Sequence, residues 1–152
     1  MFGYPATIEN QCDTRDIVLI RDSLTTVQRD PVGCQVVAGD WYSVYDDRTW
    51  SDPTELQIDH VVALKEAWDS GAWGWPADRR VAFGNDLEDV RSLRAVTSAI
   101  NQDKSADDPS QWLPPHEPFV CQYLAEYVDG TTMWIAVEEA AFVEGCGVRV
   151  AA

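Results

Sequence analysis

Apolar positions along the chain follow two rhythms, and the changes between them outline the elements. From Asp13 to Leu24 the apolar residues Ile17, Ile20 and Leu24 recur at helical spacing, with Asp13 or Thr14 placed to cap, so the stretch predicts a helix. Asp30-Pro31-Val32-Gly33 is a turn signal. Gln35–Ala38 and Trp41–Tyr45 read as the strands of a hairpin turning near Gly39-Asp40, with a further turn at Asp46-Asp47-Arg48. Leu56, Ile58 and Val61-Val62 alternate with Gln57 and Asp59, which predicts a short strand carrying Asp59 and His60. Val62–Ser70 reads as a short helix stopped by Gly71, and Ala77–Phe83 as another helical turn or two. Leu93–Val96 is a second short strand, followed by a helix that Thr97 or Ser98 caps. The Pro-rich stretch Asp107–Pro118 is irregular. Phe119–Tyr127 and Thr132–Val143 predict two helices joined at Asp129-Gly130, with Val120, Tyr123, Leu124 and Tyr127 as one buried stripe and Ile135, Val137 and Phe142 as the other. Glu138, Glu139 and Glu144 read as a solvated face, and Met1–Gln11 as a loosely held start.

This order of elements predicts an α+β chain. Its 152 residues, 45% of them hydrophobic, suit one domain with one core. No repeat or linker divides it, no run of eighteen apolar residues could span a membrane, and no basic, apolar leader stands at its start. The four cysteines allow three connectivities. Pairing within each half, Cys12 with Cys34 and Cys121 with Cys146, is favoured because none lies near the candidate catalytic residues. Buried free thiols are the alternative. Disulfides imply an oxidising, extracytoplasmic location.

Charge changes the picture. The chain carries a formal net charge of −15, yet residues 79–104 hold five basic and four acidic residues. The cations Arg79, Arg80, Arg91, Arg94 and Lys104 thus concentrate in one stretch, where a phosphate backbone would find them. A salt-bridged acidic surface is the competing reading for each arginine, Arg15 and Arg21 included.

The chemistry centres on residues 55–104. Phosphodiester hydrolysis needs a base to take a proton from water and a cation to offset charge on the phosphate. An imidazole is mostly neutral near pH 7, so His60 suits the base. Asp59 offers a hard oxygen to Mg²⁺ or Mn²⁺, and Asn101 on the following helix offers a second. Adjacent strand residues point to opposite sides, so bringing Asp59 and His60 together requires a bend or bulge nearby.

Asp59-His60, Phe83-Gly84-Asn85-Asp86, Asn101-Gln102-Asp103-Lys104 and Trp112-Leu113-Pro114-Pro115 occur in that order. The set resembles the HNH branch of the His-Me finger (ββα-metal) nucleases. In particular it resembles secreted bacterial HNH proteins related to the C-terminal nuclease domain of GmrSD-type restriction enzymes, over roughly Gln11 to Cys121. The resemblance implies a ββα-metal core flanked by an N-terminal helix and β-hairpin and a C-terminal helix pair. It implies a metal-dependent endonuclease acting on DNA, with RNA as the alternative, at little sequence preference. His60 is then the general base, and Asp59 and Asn101 hold one divalent cation. Lys104 with Arg80, Arg91 and Arg94 binds or polarises phosphates. Ala63 stands where many relatives have proline, and Ser105 where glycine usually follows the lysine. Ser92 stands where the middle asparagine of the motif falls, so either Asn85 or the Ser92 hydroxyl would fix the catalytic histidine. Without a Cys-x-x-Cys pair a structural zinc is not expected. His116 reads as an exposed loop histidine, and Trp68, Trp73 and Trp75 as packing rather than base stacking. The expected state is a monomer away from membranes. The rivals are an acidic binding module, such as a DNA mimic, and a nuclease-like fold that has lost activity.

Overall fold

The computed structural model describes Phe2, residues 12–31, residues 33–135 and Cys146. The first helix, α1 (Thr14–Asp22), begins where Asp13 accepts a hydrogen bond from the Asp16 amide at 2.8 Å. Its buried face is Thr14, Val18 and Leu19, while Ile20 and Leu24 are exposed, so the expected stripe is displaced around the helix. Leu24 lies past the helix end, where its amide donates to the Asp40 carbonyl.

Short strands follow: β1 (Gln28–Arg29), β2 (Val36–Ala38), β3 (Trp41–Ser43) and β4 (Arg48–Trp50). The expected hairpin has its strands in place but with other partners. β2 pairs antiparallel with β1, and β3 pairs with β4 across residues 44–47. The Gly39-Asp40 segment does not reverse the chain because it is held from the side. The Asp40 carbonyl accepts from the Leu24 amide and the Ser23 hydroxyl, and a Cβ on Gly39 would strike the buried Trp41 ring at 2.7 Å.

β5 (Leu56–His60) and β6 (Leu93–Thr97) form a regular antiparallel ladder from Leu56↔Thr97 to His60↔Leu93. The expected bend or bulge is absent from it. The 32 residues between the strands hold α2 (Leu64–Asp69), a one-turn 3-10 helix (Ala72–Gly74) and α3 (Ala77–Gly84). Gly71, at φ 114°, separates the first two in the left-handed conformation that favours glycine. α4 (Ser98–Lys104) leaves the end of β6 directly. The whole is a mixture of helices and small sheets, as the α+β expectation requires.

The ladder separates two apolar clusters. Leu56, Leu93 and Ala95 pack against Val18, Leu19, Val36 and Trp41. Val96 faces a second, aromatic cluster of Tyr45, Phe83, Trp112, Phe119, Tyr123 and Tyr127. The last helix among the described residues, α5 (Glu117–Trp134), supplies three of those rings. It runs unbroken through Asp129-Gly130, where a joint between two helices was expected. Gly130 is there for space: a Cβ would lie 3.0 Å from Val62 Cγ2. Val137, Phe142 and the glutamates of the second expected helix lie outside the described residues, as do Val32 and residues 3–11. The disulfides are Cys12–Cys34 and Cys121–Cys146, the within-half pairing. Among the described residues no helix is long and apolar enough to cross a membrane.

Candidate active site

His60 ends β5, and its ring Nε2 lies 3.0 Å from the Gly84 carbonyl at the end of α3. A carbonyl only accepts, so Nε2 carries the proton and Nδ1 keeps the lone pair. The Phe83 ring lies 6.4 Å away, centroid to centroid. Burial pushes the imidazole pKa below its usual 6.5; the Gly84 hydrogen bond and Asp59 oppose the shift, and Lys104 adds to it. Burial therefore favours the neutral imidazole, and the Gly84 carbonyl sets its tautomer.

Neither residue expected to fix His60 is the source of that Gly84 bond. Asn85 accepts from the Thr14 hydroxyl at 2.6 Å and donates to the Val81 carbonyl, tying α3 to α1. Ser92 donates to Asp86 at 2.7 Å, and its carbonyl receives the Val61 amide. Buried Asp86 also accepts from the amides of Glu88 and Asp89 and from the Trp134 indole of α5. Asp86 thus pins the loop that places Gly84 and Ser92 on either side of His60.

Asp59 is on the other face of the ladder. It is 4% exposed, and both oxygens are engaged: Oδ1 accepts from Lys104 Nζ at 2.7 Å and Oδ2 from the Tyr45 hydroxyl at 2.6 Å. Lys104 is fully buried and also donates to the His60 carbonyl at 2.8 Å. Its position three residues after Asn101 delivers the ammonium from the last turn of α4. Burial, then the Asp59 charge, drives the Tyr45 hydroxyl pKa well above the usual tyrosine value, so it remains a donor. Asn101 uses its amide nitrogen on Gln57 at 3.0 Å.

A hydrated divalent cation does not fit this arrangement. The only carboxylate assigned to it already faces an ammonium, and at 4% exposure it leaves no open positions for water ligands. Among the described residues, no group of three or more His, Cys, Asp or Glu side chains could hold a metal ion.

The expected phosphate-binding arginines all have internal partners. Arg91 pairs with Asp89 at 2.7 Å and with Asp129 of α5 at 2.5 Å. Arg94 pairs with buried Glu126 at 2.5 Å and lies over Phe119. Arg80 donates to the Trp75 carbonyl. Arg15 bonds the Pro53 carbonyl, and Arg21 pairs with Asp22 and bonds the Leu93 carbonyl, so both are structural. A narrow cavity of about 20 Å³ beside His60 is lined by Asp89, Arg91, Ser92, Glu126 and Trp134 among others. That volume accommodates a single water molecule. His116 anchors its loop by hydrogen bonds to the Val44 and Tyr45 carbonyls.

Sequence reasoning passed over Tyr45, Gly84 and Glu126. Glu126 carried a signal, since it falls beside Tyr123 and Tyr127 on the apolar face of a helix. Tyr45 looks like any strand aromatic, and a backbone carbonyl leaves no mark in the sequence.

Residues 13–138 match the family model of GmrSD restriction endonucleases, C-terminal domain. The chain is 41% identical over 137 residues to an uncharacterized secreted protein of Arthroderma benhamiae, covering 90% of this chain and 62% of that protein. The chain therefore spans about three-fifths of this relative's length, and the relative is fungal, where bacterial kin were expected. No solved structure matches. The matched span includes β5, β6, α4 and nearly all the site, and on that ground the chain belongs to the family of GmrSD restriction endonuclease C-terminal domains.

Proposed function

We propose that this protein is an endonuclease that hydrolyses phosphodiester bonds of DNA, RNA being the alternative, with His60 as general base. The β5–β6 ladder and α4 serve as the ββα unit of a His-Me finger. One observation carries the reading: the His60 ring is held by its Nε2 against the Gly84 carbonyl at 3.0 Å, which leaves Nδ1 as the acceptor, and burial favours that neutral form. Nδ1 takes a proton from water as the oxygen attacks phosphorus; the 3′ oxygen leaves and a 5′-phosphate end results. Asp86 and Ser92 hold the loop on which that histidine depends. Lys104 and Asp59 position it from behind through the His60 carbonyl. Phosphate contacts dominate in this reading, so sequence preference is small.

Mg²⁺ or Mn²⁺ dependence belongs to the family expectation, in which the cation offsets charge on the phosphate. Asp59 is closed against Lys104 and Tyr45, so neither of its oxygens is free to hold that cation. The disulfides and the secreted relative support an extracytoplasmic protein. A non-catalytic acidic binding module is the second reading, favoured by the internal pairing of Arg91 and Arg94. Plasmid nicking by wild type and His60→Ala, with and without chelator, decides. Nicking that His60→Ala abolishes is expected. Intact plasmid in every lane leaves the binding module, and nicking that survives chelator removes the metal requirement.

A further inference from the structure

Of the three tryptophans expected to pack, Trp68 does meet the Phe2 ring edge-on at 6.0 Å between centroids but keeps an exposed part, and Trp73 is mostly exposed instead. Trp73, in the one-turn helix after Gly71, is 65% exposed, and Trp68 of α2 is 37% exposed. A single surface indole needs no explanation. Here three indoles fall within eight residues, and each of two arginines is set against one of them. The Arg79 guanidinium lies over the Trp75 ring at 4.4 Å, and that of Arg80 over Trp68 at 6.0 Å. Neither arginine has a carboxylate partner among the described residues, whereas Arg91 and Arg94 both do. Arg79 donates instead to the Trp134 carbonyl and Arg80 to that of Trp75. In a chain of net charge −15, Arg79 and Arg80 are adjacent cations that form no ion pair among the described residues.

The face also connects to the catalytic histidine. Trp75 contacts Phe83 at 5.8 Å between centroids, and Phe83 contacts His60 at 6.4 Å. Trp68 has Arg80 beside it, and Trp73, the most exposed of the three indoles, lies two residues before Trp75, over which Arg79 sits. An indole face and a guanidinium match what an unstacked nucleotide offers, a flat base and a phosphate. Duplex DNA offers phosphates and base edges, but its base faces are already stacked.

We infer that Trp73 and Trp68, with Arg79 and Arg80, form a stacking platform that binds single-stranded nucleic acid and leads it toward His60. This deepens the nuclease reading and rests on it for the role of His60. The chemistry shared by DNA and RNA strands is what the platform recognises.

The test uses the full chain as His60→Ala, to prevent cleavage, with an oligothymidylate, an abasic strand of equal length and a duplex at fixed salt. Trp73 is exposed, so Trp73→Ala leaves packing intact, and a melting curve verifies folding. The oligothymidylate should quench tryptophan fluorescence. Trp73→Ala should weaken its binding by on the order of tenfold, spare duplex binding, and be partly restored by Trp73→Phe. The abasic strand should bind the Trp73-containing protein as weakly as oligothymidylate binds Trp73→Ala. Equal binding of abasic and base-bearing strands, or equal losses for strand and duplex, overturns the platform. So does a dimer that Trp73→Ala converts to monomer in sedimentation, since a second copy then covers the face. Plasmid cleavage by the protein with His60 present separates the two readings. A platform that binds without cleavage sinks the nuclease and spares the platform; cleavage with Trp73→Ala binding unchanged sinks the platform alone.

Discussion

Lys104 illustrates how a motif residue can be correct in place and different in duty. The resemblance makes it a phosphate ligand, yet its ammonium is fully buried between Asp59 and the His60 carbonyl. Removing one partner of a buried pair strands the other charge, at a cost of about 3–5 kcal/mol, whereas removing both is often tolerated. Lys104→Met should therefore lower unfolding free energy by about that amount, and Asp59→Asn with Lys104→Met should recover part of it. Urea unfolding measures both, and a double variant no better than the single would contradict the pairing. His60 gives a second prediction at this scale. Its pKa is below 6.5 because burial disfavours the imidazolium. Protonation then favours the unfolded chain, so the His60 contribution to stability is complete above about pH 6.5 and is lost as pH falls through the folded value. The acid limb of plasmid cleavage should also fall below pH 6.5. An NMR titration of the imidazole and a pH profile of nicking should agree; an apparent value above 6.5 for either refutes the burial argument. His116→Ala, which touches only its loop anchors, is the control and should stay active.

Elements were legible from sequence where local rules decide them, and illegible where neighbours do. The β5 and β6 spans and the stop at Gly71 follow from alternation and glycine. α4 starts where expected, although the Thr97 hydroxyl bonds Asp46 and the Trp50 indole and does not cap the helix. Strand pairing did not follow. β2, β3 and β4 are three residues each, and what selects their partners is the burial of Trp41 and the grip of α1's end on Asp40. Gly130 misled for a related reason: Asp-Gly is a turn signal, but here the missing Cβ admits Val62. Tertiary contact, invisible in one segment, overrode local propensity at both places. Two opposing terms then bear on Gly130→Ala. Alanine gains about 0.8–1 kcal/mol in helix propensity, and overpacking costs about 1–3 kcal/mol. Because Val62 is buried, its methyl has little room to yield, and the overpacking wins. Gly130→Ala should lower stability by about 1 kcal/mol, and in a Val62→Ala background, itself less stable, the same change should cost much less. Thermal unfolding of the three variants checks it, with a stabilised Gly130→Ala as the contrary result.

At the scale of the whole molecule, charge sets how a nucleic acid could be held. The chain has 11 basic against 26 acidic residues, and its central cations are largely spent inside it. Arg91 and Arg94 fasten α5 to the core through Asp129 and Glu126, and Lys104 is enclosed. Arg79 is exposed and Arg80 half-buried, and neither has a carboxylate partner among the described residues. A phosphate backbone would therefore meet few cations and a broadly negative surround. Each phosphate neutralised contributes a slope of about −0.9 to log affinity against log salt for duplex DNA, and about −0.7 for a single strand. Added salt also screens repulsion from the acidic flanks, with a Debye length near about 8 Å at physiological ionic strength. Both effects flatten the salt dependence. Binding of a duplex to His60→Ala between roughly 50 and 200 mM NaCl should fall with a slope no steeper than about −2, set by two arginines. Arg79→Ala with Arg80→Ala should flatten it further. A slope of about −3.6, four phosphates at about −0.9 each, would mean that Arg91 and Arg94 release Asp129 and Glu126 to take phosphates. Melting curves with and without DNA would then show α5 loosening when the strand binds.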